Sequence, residues 1–393
     1  MTRDDLFPMR GTRIAHLSDT DGPGGAERML AQLAGELVRA GCPGVAFLPA
    51  DREGWLGREL QAAGVTVEHF RHDRAFSPRL ARELAAAFRL HRIDLAHSHE
   101  FNTAVYGAWA ARRAGIPHVI TMHGGRYYAE RLRRRLALRA AVAASGRLVA
   151  VSQPLAARLS HDLWLRPARI ATIANGVRFT AITQSTLRDE LALADADRLV
   201  VAVGNLYPVK GHTVLLDAVA RLAAAEPRLH IAIAGRGELA ATLERQAAAA
   251  GLGTRLHLLG LRQDVANVLA AADVFVLPSL SEGLPLALLE AMFAARPIVA
   301  SAVGDVPVAL AGGAAGLLVP PGDPLALADA IQRLLGQPFE ARRLGTTAQA
   351  RAAAEYDITR MVERYAALYQ KLLSSSALGS QTMRVVQSGA RAP

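Results

Sequence analysis

The chain has 393 residues, 51% apolar and 20% charged, which excludes a disordered protein and exceeds one ordinary core, so two domains are expected. One cysteine, Cys42, excludes an intrachain disulfide and suits a reducing cytoplasm; the opening MTRDDLFPMRGTRIAHLSD contains acids and no long apolar run and is not expected to be a secretory signal, and no uncharged apolar run reaches the ~20 residues of a spanning helix. The net charge of +10 is lopsided: residues 1–180 hold 26 Lys+Arg against 16 Asp+Glu and the remainder is neutral, which suggests different partners for the two halves.

Strand-length apolar runs alternate with runs of helical period. RIAHLSD reads as a strand, GPGG as a turn and AERMLAQLAGELVRAG as a helix, with Met29, Leu30, Leu33 and Leu37 at helical spacing and Gly41 closing it. GVAFLPA, GVTVEHF, DLAHSHE, HVITMHG and RLVAVSQ continue as strands, with helical stretches between most of them. A second series starts near Arg198: LVVAVGN, HIAIAG, RLHLLG, DVFVLPS, PIVASAV and GLLVPPG, separated by Ala/Leu-rich helices. Such alternation predicts an α/β protein of two doubly wound, Rossmann-like domains facing a central cleft, residues 1–180 and 181–356, joined within 178–197. The tail 374–393 is small and polar and is expected to be disordered. Ligands of such sheets bind beyond the strands' carboxyl ends, so the loops there are where chemistry is sought.

In VAVGNLYPVKGHTVLLDA a strand ends at Gly204 and Lys210-Gly211 opens a helix. Free amides and a lysine at a helix start suit a phosphate; an ordinary turn with a solvated lysine explains the stretch equally well. Lys210 is one of only two lysines, with Lys371, among many arginines. In SLSEGLPLALLEAMFAARPIVAS, from Ser279, Pro285 suits the first helical turn, with Ser281 or Glu282 near the cap. Glu290 follows Glu282 by just over two helical turns, so both can face one side. A buried carboxylate there suits the vicinal hydroxyls of a ribose, and Glu282 with the amides of Gly283 and Leu284 a sugar; alternatively Glu290 caps a neighbouring helix or reaches solvent.

Gly24-Gly25-Ala26-Glu27 permits close approach of an anion, or is a tight turn with Glu27 complementing the helix dipole. His97, His99 and His123 lie at or near strand ends; no ligand spacing links them, which favours hydrogen-bonding histidines over zinc. Asp19-Thr20-Asp21 and Asp195-Ala196-Asp197 are candidate Mg²⁺ ligands, the second inside the expected linker. From Arg126, Tyr127 and Tyr128 interleave with Arg131, Arg133, Arg134, Arg135 and Arg139, a pattern that suits anionic lipid headgroups or a solvated arginine face. No recognition helix or RNA-module signature accompanies it, so nucleic acid is not an expected partner.

Taken in order, these motifs resemble the retaining glycosyltransferases of the two-Rossmann-domain (GT-B) type, the "group 1" family four. The resemblance covers nearly the whole chain: GGAE at Gly24–Glu27, Thr121-Met122-His123-Gly124, Asn175-Gly176, Gly204 to Gly211, AGRGE, GLRQDV and above all S-x-x-E-G-x-P-x-x-x-x-E-A-M. It implies an N-terminal acceptor domain closed by a returning helix, 357–373, and a C-terminal donor domain for a nucleoside-diphosphate sugar. Lys210 would hold the diphosphate, Glu290 the ribose, and Glu282 with Gly283, Leu284 and Pro285 the transferred sugar. Asn205, Arg236 and Leu261 would line the donor site; Gly24, Gly25 and Glu27 would face phosphates or acceptor; His123 would sit close to the transferred sugar. Glu282, His123 and Lys210 are thus the expected catalytic set, with no cofactor and no metal. Where the family places an arginine after the strand glycine this chain has Asn205, so Arg236, His212 or another base compensates, or turnover is weak.

The resemblance further implies sugar transfer with retention to a glycan or lipid-linked acceptor, in polysaccharide or glycolipid synthesis, by a cytoplasmic enzyme peripheral to an anionic membrane through Arg131 and Arg133–Arg135. Two other readings share the architecture: a sugar-nucleotide 2-epimerase and an inactive nucleotide-sugar or glycan binder.

Overall fold

The computed structural model describes residues 9–50, 54–71, 77–124, 127–182 and 184–389, those after 375 as backbone alone. The chain divides into two compact units, Met1–Asn175 with Ile358–Pro393, and Gly176–Asp357.

In the first unit the elements are β1 (Ile14–Leu17), α1 (Gly25–Arg39), β2 (Gly44–Pro49), α2 (Trp55–Ala62), β3 (Thr66–Phe70), α3 (Pro78–Leu90), β4 (Leu95–His99), α4 (Phe101–Ala114), β5 (His118–Met122), α5 (Leu132–Ala144), β6 (Arg147–Ala150), α6 (Gln153–Asp162) and β7 (Ile170–Thr172). The strands form one sheet in the order β3-β2-β1-β4-β5-β6-β7, every pairing parallel. β7, three half-buried residues, is an edge strand that the apolar runs do not announce. Alternation along the strands sorts the two faces. Val45 and Phe47 join Leu80, Leu84, Phe88 and Tyr106 of α3 and α4. Their neighbours Ala46 and Leu48 join Leu30 and Ala34 of α1 and Leu56 and Leu60 of α2. Met29, Leu30, Leu33 and Leu37 are all buried, and Gly41 just beyond α1 takes φ +86°, a conformation glycine adopts without strain.

In the second unit α7 (Leu187–Glu190) precedes β8 (Arg198–Val203), α8 (His212–Leu222), β9 (Leu229–Ala234), α9 (Ala240–Ala249), β10 (Leu256–Gly260), α10 (Val265–Ala270), β11 (Val274–Leu277), α11 (Leu286–Phe293), β12 (Ile298–Ser301), α12 (Val306–Ala309), β13 (Leu317–Val319), α13 (Pro324–Gly336) and α14 (Pro338–Glu355). Its parallel sheet has the order β10-β9-β8-β11-β12-β13, and its core is Val, Ile, Leu and Ala from both layers.

The final helix, α15 (Ile358–Gly389), belongs to the first unit. Tyr365 and Tyr369 are fully buried against the first sheet, with Tyr365 Oη 3.0 Å from Thr121 Oγ1 and Tyr369 Oη 2.7 Å from His97 Nδ1. The backbone of α15 runs on to Gly389, through the small, polar residues that follow Leu373. Residues 390–393 lie outside the described residues. No described helix is long and apolar enough to cross a membrane.

Candidate active site

In each sheet the strand order reverses between two adjacent strands, β8 and β11 in the second unit and β1 and β4 in the first. The helices that follow such a pair leave on opposite faces, so the loops part and open a crevice at the strands' carboxyl ends.

Beyond β8 and β11 the crevice holds an ion pair. Lys210 Nζ lies 2.7 Å from Glu282 Oε1, and Ser279 Oγ donates to the same oxygen at 2.7 Å. Glu282 is nearly buried and Lys210 partly so. The two residues are 72 positions apart, and only the β8–β11 pairing brings them together. Close backbone contacts fix these loops. A Cβ on Gly211 would lie 2.0 Å from Pro278 O, and one on Gly304 2.3 Å from Glu282 O. Both glycines have φ near +60°, so no other residue fits there without strain. Leu280 N donates to Val209 O and Asp305 N to Gly283 O. α11 starts one residue later than expected: Pro285 is its N-cap with ψ 133°, so Ser281 and Glu282 lie upstream and cap nothing. Glu282 is free to turn toward Lys210 for that reason.

The other donor-side residues are dispersed around this pair. Asn205 is half-buried just after β8, and Arg236 is exposed after β9, where its carbonyl accepts Leu206 N. Leu261 is 38% exposed beyond β10. Gly283 and Pro285 are half-buried and Leu284 buried; Glu290 is half-buried on α11. His212 is buried, with Nε2 3.3 Å from Gly204 O, and burial pushes its pKa down to about 4. It is neutral near pH 7 and cannot supply the positive charge that Asn205 lacks. Two residues escaped sequence reasoning. Ser279 sits three residues before Glu282, a spacing that hints at the contact. Asp305 is buried with Oδ1 unpartnered, and burial raises its pKa to about 6; its only signal was the Gly304-Asp305 turn.

Beyond β1 and β4 the first unit gathers histidines and carboxylates. His16 and His97 are paired across the strands, and His99 Nδ1 lies 3.2 Å from His123 Nε2 with the rings stacked. His97 Nε2 is 2.7 Å from Thr121 Oγ1. Burial lowers the pKa of His97 and His99 and brings His16 and His123 down to about 4. Glu100, the N-cap of α4 at φ +66°, accepts His123 N at 2.8 Å. Burial, with Asp19 and Glu27 nearby, raises its pKa to about 7 against the lowering effect of that N–H. His97, His99 and His123 are therefore hydrogen-bonding residues. Nitrogens of His16, His97 and His99 lie within 4.8 Å of one another, but both of His97 are engaged, so fewer than three are available as metal ligands.

At the start of α1 the anion site has an occupant. A Cβ on Gly24 would fall 2.3 Å from Glu27 Oε2, so Gly24 lets the helix's own carboxylate lie over its amino end, while Gly25 is exposed. The two Asp-x-Asp runs are split by structural duties. Asp21 accepts Gly54 N and Gly57 N and so caps α2, whereas Asp19 accepts Asn102 Nδ2. Asp197 accepts Ala194 N in a local turn.

The arginines around α5 do not act as one patch. The Arg134 guanidinium sits 3.5 Å over the Tyr127 ring and pairs with Glu130. Arg135 donates to Asp162 O and stacks on Trp164; Arg139 donates to Leu163 O and Trp164 O. Arg135 and Arg139 tie α5 to the end of α6 and the segment after it, and Arg134 ties α5 to the segment before it. Arg131 and Arg133 remain exposed. Arg126 lies outside the described residues.

Two parallel sheets with loops at their switch points define a GT-B scaffold, and comparison with known proteins gives the family. Residues 197–337 match the "Glycosyl transferases group 1" model and residues 23–180 the "Glycosyltransferase Family 4" model. The chain is 32% identical over 285 residues to a D-inositol 3-phosphate glycosyltransferase of Frankia alni, covering 66% of this chain and 70% of that one. It is 33% identical over 227 residues to a UDP-Gal:alpha-D-GlcNAc-diphosphoundecaprenol alpha-1,3-galactosyltransferase of Escherichia coli, covering 53% and 58%. Among solved structures, Anabaena HepE in complex with UDP-glucose superposes with a TM-score of 0.80 at 25% identity, covering 92% of this chain and 99% of HepE. The chain belongs to the group 1 glycosyltransferases.

Proposed function

We propose that the protein transfers a sugar from a nucleoside-diphosphate sugar to an acceptor hydroxyl with retention, the second unit taking the donor and the first the acceptor. The observation that carries this reading is the Lys210–Glu282–Ser279 cluster at the β8–β11 switch point. Lys210 supplies the point charge for the departing diphosphate, assisted by main-chain amides of the 204–211 and 283–285 loops. Glu282, held by Ser279, is left to accept hydroxyls of the transferred sugar when the lysine turns to phosphate. Glu290 takes the ribose, while Arg236 and Leu261 border the nucleotide. A lysine–amide site of this kind needs no metal for charge compensation. UDP complexes of HepE support a uridine diphosphate donor.

In the first unit His123 and Glu100 would receive the acceptor, with Gly24, Gly25 and Glu27 beside them. The Escherichia coli relative, which acts on a lipid-linked diphosphate sugar, supports a cell-surface glycan or glycolipid role. Of the sequence-predicted membrane contacts, Arg131 and Arg133 are the two left to face an anionic surface in a cytoplasmic, peripheral enzyme. The test is donor consumption and product anomer by NMR, with pooled lipid-linked and glycan acceptors. Transfer with retention supports the reading. Release of nucleotide with an epimerised sugar and no acceptor would replace it with the epimerase.

A further inference from the structure

The two faces of the first sheet carry different surfaces. α3, α4 and α5 together hold nine arginines and one carboxylate, whereas α1 and α2 are each balanced. Every exposed large apolar side chain described in the first unit lies on α3 (Leu90), α4 (Trp109), α5 (Leu132, Leu136) or the segments beside α5 and after α6 (Tyr127, Trp164). None lies on α1, α2 or the described side chains of α15. Large apolar and cationic groups that share one exposed face mark a surface that meets both hydrocarbon and anions.

Within this face α3 and α4 leave a pocket of about 600 Å³. Ala81, Tyr106 and Trp109 form its apolar wall, and Arg82, Arg112 and Arg113 line it with cations. Among the described residues none pairs with those three guanidinia, in contrast to Arg134, Arg135 and Arg139 on α5. Carboxylates of the described residues are absent from the lining. Three arginines left without counter-ions beside an indole fit a ligand that brings phosphate and an apolar body together.

We propose that the α3–α4 pocket seats the headgroup of an anionic phospholipid, so that the α3–α4–α5 face lies on the bilayer. The committed arginines of α5 then act as struts, and the lipid-reading charge sits one helix away from where the sequence placed it. This inference does not depend on the transfer chemistry, since vesicle binding needs no donor and no acceptor.

The full chain is sedimented with phosphatidylcholine vesicles and with vesicles containing about a third phosphatidylglycerol. Binding is expected to the second alone and to fade as salt shortens the screening length. Combined Arg82→Gln, Arg112→Gln and Arg113→Gln changes should weaken it roughly a hundredfold, about fivefold per arginine. UDP should still raise the melting temperature of this variant, which shows that it is folded. Tryptophan emission should shift to the blue on binding, and Trp109→Phe should remove most of that shift. Equal binding to both vesicle types, or a triple variant that binds like the natural chain, overturns the proposal. So does displacement of the vesicles by millimolar glycerol phosphate, which would make the pocket a site for free phosphate esters.

Discussion

The two switch points treat charge in opposite ways. Beyond β8 and β11, Lys210 and Glu282 are both ionic, face each other at 2.7 Å, and are steadied by Ser279. Beyond β1 and β4, the histidines are held neutral by burial, and Glu100 keeps its proton up to about pH 7. A crevice that must receive two phosphates benefits from a cation already poised, its charge balanced in the meantime by a carboxylate that can be released. A crevice that must receive a hydroxyl benefits from uncharged donors and acceptors. The difference follows from position: Lys210 is on a loop at the rim, whereas His16, His97 and His99 lie within strands covered by helices.

Removing either charge of the pair should have the largest effect. Lys210→Ala should lower kcat/KM about 10²–10³-fold, the scale of losing one preorganised stabiliser of a developing anion. It should also cost about 1–3 kcal/mol of stability, because Glu282 is left buried without its cation. Glu282→Gln should also slow transfer strongly, yet hold or tighten UDP, because Lys210 then has no competing carboxylate. Calorimetric affinities set beside rates distinguish the two; equal weakening of UDP by both changes would mean that the pair acts only as a structural strut.

Next comes the difference in acid sensitivity. A buried neutral histidine binds fewer protons in the folded state than in the unfolded one below pH 6.5. Stability is therefore lost as pH falls from 6.5 toward the folded values, about 4 for His16 and His123 and about 3 for His118. The first unit holds five such histidines, the second chiefly His212 at about 4. Hydrogen exchange at pH 5 should open the first unit before the second, and uniform opening would remove the contrast. Glu100 has the opposite sign. Its raised pKa means that stability falls as pH rises from about 4.5 to about 7, so Glu100→Gln should raise the melting temperature above pH 7 and leave it unchanged below pH 4.

A smaller effect concerns Asn205. Restoring a guanidinium by Asn205→Arg should tighten UDP about tenfold, the worth of one charge-assisted hydrogen bond. No gain would place compensation on Arg236 instead. Smallest of all, Asp305→Asn should stabilise slightly above pH 6, where the natural carboxyl must ionise in a buried setting.

How much of this was readable beforehand depends on range. Strands and helices were legible because their periodicity is local, and the S-x-x-E-G-x-P run pointed to Glu282 because Gly283 and Pro285 punctuate a loop before an apolar helix. The partner of Glu282 was not legible. Seventy-two residues separate it from Lys210, and their meeting requires the strand order β9-β8-β11, which no local pattern encodes. Asp21 misled for a similar reason: beside Asp19 it resembles a metal ligand, but its carboxylate caps α2 through Gly54 and Gly57, 33 and 36 residues on. The arginines from 131 to 135 read as a basic stripe, yet Arg134 is taken up by Tyr127 and Glu130 just before α5, and Arg135 by Trp164 and Asp162, the latter a contact set by tertiary packing.

The most direct test is titration of UDP into Lys210→Ala and His123→Ala proteins, one change at each switch point. If the diphosphate docks at the second unit's sheet, Lys210→Ala should lose at least about tenfold in affinity, the worth of one charge-assisted contact, while His123→Ala binds as the natural chain does. The reverse pattern, with UDP lost from His123→Ala and kept by Lys210→Ala, would contradict the assignment outright.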